Sequence, residues 1–119
     1  MEPIKLNATS DTPKVTCDAE GTVSIVGKSL TEDPFAFYKP ILDWIKEVKG
    51  ENLIIEIQLE YLNTSSSKQI YNLLKLAREN RWRKTILIKW YYEANDEDGF
   101  ELGKEFESML DIPFKLFVK

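Results

Sequence analysis

Residues 53–78, LIIEIQLEYLNTSSSKQIYNLLKLAR, change hydrophobic period once, and that change decides the fold. Leu53, Ile55, Ile57 and Leu59 alternate with Ile54, Glu56 and Gln58, the period of two that marks a strand. From Ile70 the apolar positions move to Leu73, Leu74 and Ala77, spacings of three and four that line one helical face. Between the two periods lie Asn63, Thr64, Ser65, Ser66 and Ser67, capping residue types followed by serines that fill a first turn. The chain leaves a buried strand and enters a helix through a hydroxyl-rich turn. Four hydroxyls then stand beside the free N–H groups and positive dipole end of a helix, where a phosphate is comfortable.

Upstream, residues 1–11 read as a loose arm before Pro13. Lys14–Cys17 and Thr22–Val26 are short strands joined by Asp18-Ala19-Glu20-Gly21, a hairpin with glycine at the turn. Gly27–Asp33 is a polar loop, and Asp33-Pro34 supplies an N-cap with proline at the first helical position. Phe37, Tyr38, Ile41, Leu42, Ile45 and Val48 then form an apolar helical stripe that Gly50 stops; Pro40 inside it predicts a kink or a late helix start. Downstream, Thr85–Tyr92 is a second buried strand, dense in β-branched and aromatic residues. Asn95, Asp96, Glu97 and Asp98 open a third helix that runs to about Leu110, Pro113 breaks it, and Phe114–Val118 is a last strand. The order ββαβαβαβ indicates a single small α/β domain over 1–119, a mixed sheet with parallel neighbours in its core and helices packed on it.

A chain of 119 residues with 43% hydrophobic and 30% charged residues has the balance of one folded soluble domain. No apolar run approaches the roughly 20 residues of a membrane helix, so no membrane insertion is expected. The first residues lack the apolar stretch of a secretory signal. One cysteine, Cys17, rules out an internal disulfide and suits a reducing compartment, the cytoplasm. A net charge of −4 argues against nucleic acid as a partner. The one basic cluster, Arg78, Arg81, Arg83 and Lys84, falls at a helix end, where cations complement the dipole.

The absence of histidine removes Ser-His and Cys-His pairs, histidine general bases and most zinc sites. The acids Glu93, Asp96, Glu97, Asp98, Glu101 and Glu105 lack the spacing of a calcium loop and read as a solvated helix start. Ser24 and Ser29 have no candidate base, and Cys17 reads as a small core residue. Trp44 and Trp90 belong to apolar stripes, while Trp82 follows a helix and is expected to be partly exposed. No catalytic residue, cofactor or metal site is expected. The chain reads as a binding or switching module and not as an enzyme.

The turn at Asn63–Lys68 allows three readings. It is an N-cap with extra hydroxyls, or an anion site, or a phosphoacceptor whose charge on modification alters docking. The anion-site reading makes the chain a small-ligand or nucleotide-binding module using the helix N-terminus after Asn63, although the nearest glycines, Gly50 and Gly99, are too far to shape a phosphate loop. A third possibility is a structural subunit whose acidic third helix docks a basic partner.

Several stretches together resemble the SiaC family of regulatory phosphoproteins. They are Thr12-Pro13-Lys14-Val15, Gly27-Lys28-Ser29 with Glu32, Phe37-Tyr38 with Pro40 and Trp44, and above all Leu59-Glu60-Tyr61-Leu62-Asn63-Thr64-Ser65-Ser66-Ser67-Lys68. Lys89-Trp90-Tyr91-Tyr92, Asp96-Glu97-Asp98 with Glu101 and Gly103, and Pro113-Phe114 extend the likeness to nearly the whole chain after residue 11. The chain departs at Leu30-Thr31-Glu32-Asp33, where the family often has Tyr-Pro-Glu-Asn, and at Leu62, where it often has Phe. The resemblance implies a STAS-like domain working like an anti-sigma-factor antagonist. It further implies reversible phosphorylation at Thr64, by a protein kinase and a PP2C-type phosphatase. The unphosphorylated form would bind and activate a diguanylate cyclase, promoting cyclic-di-GMP synthesis and biofilm formation. Leu62, Asn63, Ser65, Ser66 and Lys68 flank Thr64 and are the expected partner-binding residues.

Overall fold

The computed structural model describes residues 2–119. Along them run β1 (Ile4–Leu6), β2 (Lys14–Cys17), β3 (Thr22–Ser29), α1 (Pro34–Glu47), β4 (Asn52–Leu62), α2 (Thr64–Glu79), β5 (Thr85–Tyr92), α3 (Glu97–Leu110) and β6 (Phe114–Val118). The strands form one six-stranded sheet whose spatial order is the chain order. β1, β2 and β3 pair antiparallel, and β3 to β6 are parallel neighbours. From Lys14 onward this is the order expected from the sequence.

Each parallel connection passes through a helix and moves on to the next strand in one direction. Right-handed crossovers therefore set α1, α2 and α3 on the same face of the sheet. Burial agrees. Val15, Cys17, Val23, Ile25, Leu53, Ile55, Ile57, Ile88 and Trp90 are buried, while the residues alternating with them are only half-buried or exposed. Onto that face α1 packs Tyr38, Ile41, Trp44 and Ile45, α2 packs Ile70, Leu73, Leu74 and Ala77, and α3 packs Phe106 and Leu110.

Helix starts follow local chemistry. Asp33 Oδ1 accepts from Ala36 N at 3.1 Å with Pro34 next in line, and Asp96 Oδ1 accepts from Gly99 N at 2.9 Å. Proline at the first position loses nothing, because that N–H has no intrahelical partner. The helix does not start late. It runs through Pro40, which lies exposed on the solvent side, so the Ala36 carbonyl deprived of a donor faces water. Its end comes at Glu47, before Gly50, because the buried Asn80 side chain donates to the carbonyls of Ile45 and Val48 at 2.8 and 2.9 Å.

Two expectations are corrected. The segment 1–11 is not wholly a loose arm: Ile4 lies opposite Cys17 and Leu6 opposite Val15, and Trp44 Nε1 donates to Glu2 O at 2.9 Å. Met1, the first residue of that arm, lies outside the described residues. The stretch Gly27–Asp33 is not a loop from its start. Pairing with β4 resumes past an irregularity at Gly27/Lys28, with Lys28 opposite Tyr61 and Ser29 opposite Leu62. There Ser29 Oγ meets Tyr38 Oη at 2.8 Å in a buried pair.

Gly21 and Gly103 show most directly why glycine is needed. Gly21 turns the β2–β3 hairpin at φ 110°, a left-handed conformation that a side chain rarely adopts. Gly103 in α3 lies under the Trp90 indole, where an added Cβ would stand 2.7 Å from ring carbon Cδ1. Gly103→Ala should therefore force α3 off the sheet and cost about 1–3 kcal/mol, read as a lowered midpoint in urea unfolding followed by Trp90 fluorescence. Burial, aided by the charge of Asp18, pushes the Cys17 thiol up to about 12 from an ordinary value near 9. In the native state at pH 8 this thiol should react with a maleimide only as fast as the protein unfolds. Since its folded value is the raised one, its stabilising share is complete below about pH 9 and is lost as pH climbs toward 12, and Cys17→Ala should remove that part of the alkaline slope.

Candidate functional site

The turn between β4 and α2 is built around Asn63. Its extended backbone (φ −76°, ψ 166°) ends the strand, and its Oδ1 accepts from Ser66 N at 2.8 Å to cap the helix. The same side chain donates through Nδ2 to Thr31 O at 3.2 Å, while Asn63 N donates to Ser29 O at 3.1 Å. One residue thus ties the start of α2 to the loop between β3 and α1. Ser67 N donates to Asn63 O at 2.9 Å, so the first helical turn closes on it as well.

Because Asn63 makes the cap, Thr64 is not committed to capping. It occupies the first helical position and is exposed, as are Ser65 and Lys68. Thr64 and Lys68 are four residues apart and share one face of the helix. Leu62 and Asn63 are half-buried. Ser66 is different. It is fully buried, its Oγ has no hydrogen-bond partner among the described residues, and it supports the turn from within. A signal for this was present in the sequence, since Ser66 lies four residues before Ile70 and belongs to the buried stripe.

Around this turn stand apolar side chains that sequence reasoning did not single out. Leu30 is 42%, Phe35 58% and Tyr61 59% exposed. Leu30 and Phe35 belong to the loop and helix start that Asn63 holds, and Tyr61 is three residues before Thr64 on β4. Large exposed apolar residues beside polar ones are what a protein-binding rim looks like. For Leu30 and Phe35 the cue was a position outside every apolar stripe; Tyr61 continues the β4 alternation and is exposed only past the shift in pairing at Gly27/Lys28.

On the other side, at the carboxyl ends of β4 and β5, opens a crevice of about 200 Å³ lined by Glu60, Tyr61, Trp90, Asp96, Asp98 and Leu102, among others. Its carboxylates repel a nucleotide phosphate, and the Ser66 N–H of the helix start is already taken by Asn63. No group of three or more Cys, Asp or Glu side chains among the described residues is placed to hold a metal ion. No helix among them is long and apolar enough to cross a membrane. At the far end of α2 the basic cluster has structural work. Arg78 Nη1 donates to Leu110 O and Arg83 Nε to Arg78 O, each at 2.8 Å, while Trp82 is 40% exposed.

Fold and site together define a small α/β regulatory domain that offers a free hydroxyl at a helix start. Residues 6–119 match the model of the SiaC family regulatory phosphoproteins, and the chain belongs to that family. It is 27% identical over 121 residues to an uncharacterized protein of Pseudomonas aeruginosa, covering 98% of this chain and 96% of that one. Crystalline apo-SiaC of Pseudomonas aeruginosa superposes with a TM-score of 0.86 at 26% identity, over 99% of this chain and all of the other (100%). SiaC seen in complex with the diguanylate cyclase SiaD, which it activates, gives a TM-score of 0.87 at 26% identity, over 98% and 99% of the two chains.

Asn63→Ala removes both the cap and the link to Thr31, and should cost about 1–2 kcal/mol in thermal or urea unfolding. Asn63→Asp keeps an acceptor for Ser66 N but loses the donor to Thr31, so its loss should be the smaller of the two.

Proposed function

We propose that this protein is a phosphorylation-controlled adaptor, without catalysis of its own, that binds and activates a diguanylate cyclase in the cytoplasm when Thr64 is unmodified. A protein kinase adds the phosphoryl group and a PP2C-type phosphatase removes it. The observation that carries the reading is the division of labour at the start of α2: Asn63 makes the cap, which leaves the exposed Thr64 hydroxyl available. Further support comes from the solved relative, an activator of the diguanylate cyclase SiaD.

The physics of the switch follows from position. A phosphate on Thr64 adds about −1.5 to −2 charge next to the backbone N–H groups of the first turn, so the fold tolerates it. A partner closing over it would have to bury that charge without a counterion, at a cost of several kcal/mol. Docking is lost while the domain stays folded. The contact surface comprises Leu62, Asn63, Ser65 and Lys68 with the apolar rim of Leu30, Phe35 and Tyr61, and Ser66 acts from beneath. Glu60, exposed nearby, adds repulsion toward the modified state.

Calorimetry with the purified cyclase tests the reading. Thr64→Glu should weaken binding by about 100-fold or more, equivalent to about 2.7 kcal/mol, while Thr64→Ala keeps wild-type affinity. Intact-mass and fragment-ion spectrometry should place one phosphate on Thr64, removable by a PP2C-type phosphatase. Equal cyclase binding by wild type, Thr64→Glu and Thr64→Ala would sink the switch. Tight nucleotide binding by the isolated domain would favour an anion-binding module in its place.

A further inference from the structure

Four parallel strands, β3 to β6, ordinarily have both faces covered. Here the helices cover one face, and no helix among the described residues packs on the other. The register composes that open face. Lys5, Thr16, Ser24, Glu56, Lys89 and Lys115 follow one another across all six strands as a single rung. Lys14 lies on the same side of β2. The irregularity at Gly27/Lys28 sets Tyr61 beside Lys28, whose ammonium stands 5.4 Å from the ring centroid. The face thus carries five lysines with one glutamate in its rung, on a chain whose net charge is −4. Among the described residues none of the five forms an ion pair. Half-buried Val26, Ile54 and Leu87 lie between them as apolar ground against which lysine stems can lie.

We propose that this open face docks a carboxylate-rich surface of a partner protein, separately from the helix start at Thr64. Charge complementarity selects the occupant. A second copy meeting it face to face would set lysines against lysines, which disfavours a symmetric pair. Single-stranded nucleic acid would need free aromatic faces for its bases. Two rings on this face are engaged with each other, since Tyr91 and Phe117 stack at 4.9 Å and 21°.

The test is an NMR titration of the whole protein with an octaglutamate peptide at low salt, with octathymidylate as the competing probe. Saturable amide shifts should appear at Thr16, Ser24, Lys89, Lys115 and Phe117 and fade as salt is raised. Lys14→Glu/Lys115→Glu changes two exposed side chains, so the remaining spectrum should stay native while peptide affinity falls by about tenfold. Lys84→Glu, in the basic cluster after α2, should bind like wild type. Shifts centred on Arg81–Lys84, no saturation at low salt, undiminished binding by the double variant, or tighter binding of octathymidylate would each overturn the proposal. So would concentration-dependent dimerisation through this face in sedimentation velocity.

Discussion

Helix α2 is held at its two ends by asparagines, and the arrangement of the molecule depends on that pair. Asn63 fixes the start to the end of β3 through Ser29 and to the β3–α1 loop through Thr31. Asn80 fixes the end, donating to the carbonyls of Ile45 in α1 and Val48 just past it and accepting from Trp82 N at 2.7 Å and Arg83 N at 3.1 Å. Its amide is buried with both donor hydrogens and its acceptor engaged, the condition under which a buried polar group stabilises. Each asparagine ends one element and anchors another. Their combined effect is that α2 can neither slide along α1 nor lift its first turn, so Thr64 has one position relative to Leu30, Phe35 and Tyr61.

Charge is arranged about that fixed turn. Glu60, Asp96 and Asp98 line the crevice at the strand ends, and the first turn of α3 is acidic, as its dipole favours. A free phosphate approaching this end meets carboxylates. A phosphoryl group attached covalently to Thr64, as proposed, would have its position set by the bond and could use the N–H groups of α2 directly. The same electrostatics that refuse an anionic ligand are compatible with a modified side chain.

The centre of the chain was legible in its residues because two periods meet there without interruption. β4 and α2 follow from apolar spacing and β5 from its β-branched and aromatic residues; of the N-caps only Asp33 was singled out, while Asn63 and Asp96 each stood within a run of residues that open a helix. What was not legible depended on pairing at a distance. Ile4-Lys5-Leu6 is too short to announce a strand and becomes one only because β2 offers it an edge. Gly27-Lys28-Ser29 is polar and glycine-led, yet pairing with β4 past the bulge keeps it extended. At the site, the hydroxyl cluster was evident, but exposure was not: Thr64 faces out and Ser66 faces in, as their places on the helical stripe dictate. The apolar rim escaped notice because Leu30 and Phe35 follow no period and Tyr61, which continues the β4 alternation, is exposed past the shift in pairing at Gly27/Lys28; the role of Asn80 depends on carbonyls at the end of α1 some 32–35 residues away.

The identity of strand order and chain order has a kinetic consequence. Each new strand pairs with the one made just before it, so loop closure spans only one helix at a time and folding can proceed from the N-terminus during synthesis. The bonds that shape the Thr64 turn all lie between Ser29 and Ser67. That turn can assemble on the nascent chain before β5 and β6 have left the ribosome, and the Thr64 hydroxyl is then in place while the sheet is still growing.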